Sequence, residues 1–384
     1  MKIVYCIIDS SQAGGMERSI CCKANYFADV MGYDVTIITT DRGERENFFD
    51  FSSRIHFFDL DINYRELRGL PLFERIKNQI EKRRKHRFSL EQILKKIQAD
   101  IVFSTGTHEV SILCNIKDGS RKIIESHLSK DHKKVEVSLN NQPLLSKLFT
   151  LVTDFRRKRF LKYYDALVVL SDSEKRLCEG LNNRIVSIPN PLPFCPPDST
   201  TDYTQKRVIS VGRLSKEKGF SYLIDAWRLV SKKHPAWELV IFGNGDEIES
   251  LQKQISDLGL EDNIRIYSPV KNISQEYLNS SLYVMPSITE AFGLVLPEAM
   301  ACGLPCIAFN CSEGLSEIIK DKENGFLVEA KNVDQLSERV ILLIEDEQLR
   351  KQMGQNARRS VQRFFPENIM PRWIDLFSKI IKNK

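Results

Sequence analysis

The chain has 384 residues, of which 42% are hydrophobic and 28% are charged, enough for two domains with substantial cores. Its 9 cysteines are an odd, scattered number, and no apolar run reaches the roughly 18 residues of a membrane span, which argues against a disulfide-stapled secreted domain and an integral membrane protein. Residues 1–190 carry 32 Lys and Arg against 25 Asp and Glu, whereas the remainder carries 24 against 26. We therefore expect a cytoplasmic protein whose first half meets an anionic partner.

The first half alternates between apolar segments with the length of buried strands and stretches that are helical or polar. The predicted strands are Ile3–Ile8, Asp34–Thr39, Ile55–Phe58, Ile101–Ser104, Lys122–Ser126 and Ala166–Ser171. Strands that alternate with helices predict a parallel sheet covered on both faces. In such sheets, ligands bind beyond the carboxyl ends of the strands.

Candidate site residues of the first half follow these strands. Gly14 and Gly15 lie between the first strand and the first helix, where paired glycines let the backbone approach a ligand closely, although a tight turn explains them equally well. His108 and His127 each follow a predicted strand. Both are candidates for a catalytic or substrate-binding role, with a structural histidine as the alternative.

Two segments of the first half combine cations with apolar residues. Arg65–Lys96 contains eleven Lys and Arg against four acids, and Leu144–Tyr164 interleaves apolar residues at helical spacing with a run of four cations at 156–159. This pattern is typical of docking at an anionic membrane surface. A solvated helix face with ordinary core contacts is the alternative. Neither segment has a recognised nucleic-acid-binding motif, so we expect no nucleic acid partner.

A Pro-, Ser- and Thr-rich run over 193–202 interrupts the pattern and predicts a linker over 191–206. A second alternation of strands and helices begins after it. Its predicted strands are Arg207–Val211, Glu238–Phe242, Ile264–Tyr267, Leu282–Met285, Pro305–Phe309 and Gly325–Val328. The sequence thus predicts two doubly wound domains, 1–190 and 207–365, with a ligand cleft between them. The helical period of 366–384, with Trp373 and Phe377, predicts a terminal helix that returns to the first domain.

Two loops of the second half have residues suited to a phosphate-bearing ligand. Arg213 and Lys218 lie five positions apart after a predicted strand, and two cations there could clamp a diphosphate. Glu290 and Glu298 lie eight positions apart, the first in a loop and the second in a predicted helix. The start of that helix would present free backbone N–H groups to an anion. Hydrogen-bond donors that can hold a phosphate, beside fixed carboxylates, favour a nucleotide sugar as ligand. An ordinary loop before a helix is the alternative.

Two other features of the second half have weaker implications. Gly243 ends a strand, where it would shape the nucleotide pocket or simply precede a helix capped by Asp246. Cys302, Cys306 and Cys311 do not have a usual zinc spacing, and no histidine lies nearby in the sequence. We interpret these cysteines as core residues and expect no metal site.

Taken together, these residues resemble the retaining glycosyltransferases of family 4, which have the GT-B fold. The resemblance is strongest over 207–330, where the motifs follow the family's order, and it is looser in the first half. The motifs are Gly212-Arg213 with Lys218-Gly219, Phe242-Gly243-Asn244-Gly245, Glu290 with Glu298, Gly303-Leu304-Pro305, Glu317-Ile318-Ile319 and Asn324-Gly325. In the first half, the residues Ser104–His108 stand where many members have a histidine-rich strand end.

The resemblance implies a role for each candidate. Arg213, Lys218 and Gly15 would bind the donor diphosphate, Glu298 the ribose hydroxyls, and Glu290 and His127 would lie near the reacting sugar. The set that would contact the distal phosphate and sugar consists of the backbone around Phe292, Gly293, Leu294 and Val295. Gly243 belongs to the same implied donor site.

The resemblance also implies an activity: a metal-independent, retaining hexosyltransferase that uses a front-face mechanism and needs no cofactor. Its partners would be a nucleotide-sugar donor and a saccharide or polyprenyl-linked acceptor of surface-polysaccharide assembly, with the enzyme peripheral on the inner face of the membrane. Residues Ser312–Glu317 favour a UDP-hexose or UDP-N-acetylhexosamine. The alternatives are a GDP-mannose-dependent mannosyltransferase, a GT-B nucleotide-sugar epimerase and a non-catalytic nucleotide-sugar-binding protein.

Overall fold

The structure, a computed structural model, describes residues 1–67, 69–126, 159–194 and 199–382. It divides into two compact units, unit 1 (Met1–Pro189 with Ile369–Lys384) and unit 2 (Asn190–Asn368). Each unit is built around one sheet whose strands all run parallel. This is the architecture that the alternation of strands and helices predicts.

Unit 1 has a sheet in the order β3-β2-β1-β4-β5-β6-β7. Its strands are β1 (Lys2–Ile7), β2 (Asp34–Thr39), β3 (His56–Asp59), β4 (Ile101–Ser104), β5 (Arg121–Glu125), β6 (Ala166–Val169) and β7 (Ile185–Ser187). The central strands are buried on both faces, which explains their continuous apolar sequences. The sequence does not predict β7, because its three residues form a half-buried edge rather than a buried run.

Helices cover both faces of this sheet. They are α1 (Gly15–Asn25), which continues as one π-helical turn over Tyr26–Val30, α2 (Leu72–Ile97), α3 (Val110–Leu113) and α4 (Asp172–Leu177), with a 3-10 turn over Tyr64–Leu67. On one face, Ile20 and Ala24 of α1 and Phe27 of the π-helical turn pack on the strands. On the other face, Leu90 and Leu94 of α2 enter a separate apolar core.

Unit 2 has a sheet in the order β10-β9-β8-β11-β12-β13. Its strands are β8 (Arg207–Val211), β9 (Glu238–Phe242), β10 (Ile264–Tyr267), β11 (Leu282–Met285), β12 (Cys306–Phe309) and β13 (Gly325–Val328). Its helices are α5 (Phe220–Lys233), α6 (Ile248–Asp257), α7 (Ile273–Leu278), α8 (Val295–Ala301), α9 (Glu313–Ser316), α10 (Val333–Glu345) and α11 (Glu347–Ser360), with 3-10 turns over Lys216–Lys218 and Val361–Phe364. All six strands predicted for the second half are present.

The last helix, α12 (Pro366–Ile381), packs on the sheet of unit 1. Trp373 and Phe377 are buried there, and their rings lie 5.4 and 5.9 Å from the ring of Phe103 on β4. The predicted return of the terminal helix to the first domain is confirmed. Large apolar residues at helical spacing made this contact predictable because α12 has no other way to bury them.

After residue 198, the predicted linker is held on unit 2 rather than being a free connection. Residues 195–198 lie outside the described part of the chain, but those that follow are fixed on unit 2. The Thr201 backbone N–H donates to Cys302 O at 3.1 Å, and the Tyr203 hydroxyl donates to Gly303 O at 2.8 Å. Across the described ranges, no helix combines the length and apolarity needed to cross a bilayer.

Candidate donor site at the strand ends of unit 2

The candidate residues of unit 2 lie at the point where its strand order reverses. β8 and β11 are neighbours at this switch point, and the strands that follow them in sequence lie on opposite sides, which opens a crevice at their carboxyl ends. The loop after β8 meets the loop after β11, because the Ile288 backbone N–H donates to Glu217 O at 2.9 Å. Residues 71 positions apart in sequence are thus brought to one site.

Two glycines allow the loops of this site to approach closely. Gly219 has a left-handed backbone with φ of +65°, and a Cβ placed on it would lie 2.1 Å from the carbonyl oxygen of Pro286. A Cβ on Gly243, at the end of β9, would lie 2.0 Å from the carbonyl oxygen of Gly212. Gly243, which we predicted as a donor-site residue, therefore has a packing reason to be glycine: it holds the loop after β8 in place.

Lys218 and Glu290 form an ion pair between the two loops. The Lys218 Nζ lies 2.6 Å from Glu290 Oε1, and the side chains are 25% and 10% exposed. The Ser287 hydroxyl donates to the same oxygen at 2.8 Å. The structure therefore brings together two residues that the sequence places 72 positions apart, and it leaves their charges within reach of solvent.

Arg213 differs from Lys218 in its surroundings. Arg213 is exposed, and its guanidinium forms no ion pair or hydrogen bond within the described residues. The loop therefore presents one cation already balanced by a carboxylate and a second that is not. An arginine fork suits a bidentate contact with phosphate oxygens.

Glu298 lies on α8 and is almost completely buried, with 1% of its surface exposed. The hydroxyl of Tyr277 donates to Glu298 Oε2 at 3.2 Å, which fixes the orientation of the carboxylate. The ring of Tyr283 lies 5.8 Å from that of Tyr277. Burial, with added repulsion from Cys306, Glu290 and Glu298, raises the pKa of Tyr283 well above its usual range. Tyr283 thus stays protonated, and its hydroxyl donates to Val211 O at 3.4 Å.

The loop that leads into α8 contains the remaining candidates. Gly293 has φ of +72°, and its carbonyl accepts from Leu296 N–H at 2.8 Å, so the chain turns into the seven-residue helix here. Within the described residues, the backbone N–H groups of Gly293 and Leu294 have no acceptor. Phe292 is buried and its ring lies 5.5 Å from that of Phe364, so only its backbone can face a ligand.

Comparison with known proteins decides the family. The family model for glycosyl transferases group 1 matches residues 196–360. An uncharacterized glycosyltransferase of Haemophilus influenzae is 31% identical over 97% of this chain and 98% of its own. The chain belongs to the group 1 glycosyl transferases.

Two further similarities concern this glycosyltransferase as a whole. A Campylobacter jejuni alpha-1,4-N-acetyl-D-galactosaminyltransferase, named for a GalNAc-containing acceptor on diphospho-undecaprenol, is 25% identical over 99% of both chains. The structure of a Staphylococcus aureus TarM mutant, in complex with fondaparinux, alpha-GlcNAc-glycerol and UDP, superposes with a TM-score of 0.78 over 98% of this chain and 99% of its own, at 17% identity. The GT-B fold is thereby confirmed, whereas membership of family 4 stays a prediction.

In unit 1 of this glycosyltransferase, Gly15 begins α1 and Gly14 precedes it in extended conformation, with no side chain capping the helix. A Cβ on Gly15 would meet nothing within 4 Å, so packing within the chain does not require glycine at this position. Its contact with a diphosphate stays a prediction. His127 lies outside the described residues, and its catalytic role stays a prediction as well.

His108 is not placed as a free strand-end histidine. Its ring stacks on that of Tyr64 with centroids 4.0 Å apart, and the Tyr64 hydroxyl lies 3.1 Å from His86 Nδ1. Burial lowers the pKa of His108 and lowers the pKa of His86 to about 4. The structural alternative therefore fits His108 better than a catalytic role.

Sequence reasoning missed a buried ion pair in unit 1. Lys23 on α1 pairs with Glu125 at the end of β5, and their side chains are 0% and 1% exposed. Trp373 covers the pair, with its ring 5.2 Å from Lys23 Nζ. One signal was available: Lys23 occupies the same helix face as the apolar residues Ile20, Ala24 and Phe27, where a lysine needs a partner.

The cysteines and one basic segment have simpler explanations. Cys302 and Cys306 are buried, and in the described residues no group of three His, Cys, Asp or Glu side chains could hold a metal ion. Most of the basic segment Leu144–Tyr164 lies outside the described residues. At its end, Leu161 and Tyr164 are buried in the core of unit 1, so this part is structural.

Proposed function

We propose that this glycosyltransferase moves a sugar from a nucleotide-sugar donor to a lipid-linked or saccharide acceptor, with retention of configuration, in surface-polysaccharide assembly. The observation that carries the proposal is the meeting of Lys218 and Glu290, beside Arg213, at the switch point of unit 2. Two cations next to a carboxylate match a ligand in which a diphosphate is joined to a polyhydroxylated ring.

The diphosphate would compete with Glu290 for Lys218. It carries more negative charge than one carboxylate, and the Lys218–Glu290 pair is open to solvent. The phosphate oxygens can therefore take over the Lys218 ammonium, while the guanidinium of Arg213 forms a bidentate contact. The N–H groups of Gly293 and Leu294 would add neutral donors to the same anion.

Donor binding would then free Glu290 for the sugar. The Ser287 hydroxyl already holds Glu290 Oε1 at 2.8 Å, so the carboxylate keeps its position when Lys218 turns to the phosphate. A fixed carboxylate accepts hydrogen bonds from sugar hydroxyls and favours the positive charge that develops at the anomeric carbon. Glu298, oriented by Tyr277, would hold the ribose hydroxyls.

The chemistry follows from the charges. As the bond to the anomeric carbon breaks, negative charge grows on the departing diphosphate, where Arg213 and Lys218 stabilise it. Because the two cations supply this stabilisation, we propose a reaction that needs no metal ion. The acceptor hydroxyl attacks from the face that the diphosphate leaves, and a phosphate oxygen takes its proton. The configuration is retained without a covalent intermediate on the protein.

The donor and acceptor classes are proposed from the relatives. TarM was solved with UDP, and the Campylobacter jejuni relative is named as an N-acetylgalactosaminyltransferase acting on an undecaprenol-linked acceptor. The first favours a UDP-sugar over GDP-mannose. The second favours an N-acetylhexosamine as the transferred sugar and a polyprenyl-linked acceptor. The eight cysteines within the described residues are all free, which suits a cytoplasmic enzyme.

A donor panel tests this proposal. The protein is incubated in EDTA with UDP-glucose, UDP-galactose, their N-acetyl forms or GDP-mannose, and the products are followed by NMR. We expect release of the nucleotide from one donor and an α-configured sugar product. Lys218→Met should lower turnover by two to three orders of magnitude, whereas Lys216→Met, which changes an exposed cation two residues away, should not.

Three other outcomes would contradict the proposal. Epimerised donor without nucleotide release would indicate an epimerase. Binding of a donor without any turnover, even with acceptor extracts, would indicate a binding protein. A β-configured product from an α-linked donor would rule out retention.

A further inference from the structure

Helix α2 of unit 1 exposes apolar residues that the proposed catalytic reaction does not use. Phe73, Ile76 and Ile80 are 81%, 42% and 50% exposed, and Phe88 is 67% exposed. Ile76, Ile80, Arg84 and Phe88 follow one another at four-residue steps and therefore form one row along the helix, with Phe73 beside its first turn. Large apolar side chains grouped in this way at a protein surface indicate an interaction site.

This row is distinct from the part of α2 that holds the helix on the fold. His86, Leu90 and Leu94 form a second row at four-residue steps, and all three are buried. That second row already anchors the helix in the core of unit 1. The exposed row is therefore not needed to fix α2, and its apolar residues remain to be explained.

The charge of α2 is strongly positive. Nine Lys and Arg stand against three Glu over residues 72–97. Two of these lysines contact the segment before the helix. Lys82 donates a hydrogen bond to Ile62 O and pairs with Glu66, and Lys85 pairs with Asp61. Lys77 lies next to the exposed row and Arg84 lies within it, and neither forms an ion pair within the described residues. Unpaired cations thus accompany the exposed apolar side chains.

We propose that the exposed row, with Phe73, Ile76, Ile80, Arg84 and Phe88 as its members, docks on an anionic lipid surface. The helix would lie in the plane of the interface, with Phe and Ile side chains at the acyl boundary and Arg84 and Lys77 at the lipid phosphates. The exposed aliphatic side chains of Ile76 and Ile80 favour lipid, because a nucleic acid surface would combine the cations with aromatic rings that stack on bases. The proposal deepens the proposed function, since a polyprenyl-linked acceptor lies in such a surface, but it does not depend on catalysis.

Vesicle co-sedimentation of the full chain tests the docking without donor or acceptor. Vesicles of phosphatidylcholine alone are compared with vesicles containing 30% phosphatidylglycerol, at low and high salt. We expect binding to the anionic vesicles that falls with salt. Phe73→Ser with Ile76→Ser and Ile80→Ser should weaken it at least tenfold, and so should Lys77→Glu with Arg84→Glu. The matched control Tyr267→Ser with Val270→Ser removes exposed apolar residues of unit 2 and should bind as the wild type does.

A second measurement reports insertion directly. The three tryptophans, Trp227, Trp237 and Trp373, are buried, so brominated lipids should not quench them. Ile80→Trp places a fluorophore in the exposed row, and its emission should shift to the blue and be quenched by brominated anionic vesicles. An unquenched, unshifted emission would contradict insertion.

Three results would overturn the docking proposal while leaving the donor-site proposal intact. The first is no binding of the wild type to anionic vesicles at low salt. The second is serine variants that bind as the wild type does, which would mean that the positive charge of the protein alone explains the vesicle binding. The third is a lower melting temperature of the triple serine variant without vesicles, which would mean that other residues of this chain cover the row.

Discussion

In the described part of each unit, a lysine–glutamate pair joins segments that lie far apart in the sequence, and these two pairs differ in their access to water. Lys23 and Glu125 of unit 1 are 0% and 1% exposed, inside an apolar core and under Trp373. Lys218 and Glu290 of unit 2 are 25% and 10% exposed, on loops at the switch point. The chemical groups are the same, so burial alone separates their roles.

The difference shows which ion pair can serve a ligand. Two buried charges have lost their hydration, and neither can leave its partner without a large penalty. Burial accordingly lowers the pKa of Lys23, opposed by its attraction to Glu125. A pair at a loop surface is worth little to stability and can exchange one partner for a phosphate. We therefore assign the first pair to the fold and the second to the donor site.

The largest expected effect comes from breaking the buried pair. Lys23→Met leaves Glu125 charged in an apolar core, and the free energy of unfolding should fall by about 3–5 kcal/mol. Lys23→Met with Glu125→Leu removes both charges and should recover most of that loss. Chemical denaturation of the single and double variants measures the difference. Equal losses in both would mean that packing, not charge, explains the pair.

Breaking the exposed pair should instead affect turnover. Lys218→Met removes one stabilising cation from the leaving diphosphate, which should raise the barrier by about 2.7–4 kcal/mol and lower kcat by two to three orders of magnitude. Its unfolding free energy should change by no more than about 1 kcal/mol. Steady-state kinetics and denaturation, with Lys216→Met as the control, separate the two effects. A large loss of stability with normal kcat would reverse the assignment.

Acid should weaken unit 1 through its buried histidines. Burial lowers the pKa of His86 to about 4 from its usual 6.5, so between these values the unfolded chain binds the proton that the folded chain excludes. The stability is fully present above pH 6.5 and is lost as the pH falls toward 4, by at most about 3 kcal/mol for this group. Denaturation at pH 7.5 and pH 5 measures the loss, which His86→Gln should reduce. An unchanged pH dependence in that variant would exclude His86 as its source.

The smallest expected effect concerns Gly15. Alanine fits there without a clash, and it restricts the unfolded chain, so Gly15→Ala should leave stability unchanged or raise it by about 0.4–1 kcal/mol. If Gly15 contacts the diphosphate, donor KM should nevertheless rise. Parallel thermal and kinetic measurements distinguish the two effects. An unaltered KM would remove Gly15 from the donor site.

Much of the fold was predictable because its signals are local. Strands such as Ile3–Ile8 and Leu282–Met285 are continuous apolar runs, and the apolar period around Trp373 gave the docking of α12. The edge strand β7 was missed because three half-buried residues leave no such run. The carboxyl ends of neighbouring parallel strands lie at one edge of the sheet. The loops after β8 and β11 meet for this reason, because these two strands are neighbours.

The contact partners of individual side chains were harder to predict from the sequence. The sequence indicated Lys218 and Glu290 as separate candidates but did not predict that they pair. No sequence pattern predicts the hydrogen bonds of Ser287 to Glu290 and of Tyr277 to Glu298. The Lys23–Glu125 pair spans 102 positions and depends on the tertiary packing of α1 against β5. His108 looked like a ligand-facing residue because its stacking partner Tyr64 lies 44 positions earlier in the chain.

The most direct test of the donor site is isothermal titration of UDP and GDP in EDTA against the wild type, Arg213→Ala and Lys216→Ala. Arg213 and Lys216 are both exposed cations of the loop after β8, so they differ mainly in position. We predict that one nucleotide binds the wild type and Lys216→Ala equally, and binds Arg213→Ala at least tenfold more weakly. Equal affinity for all three proteins, or binding by none, would contradict a diphosphate site at the switch point of unit 2.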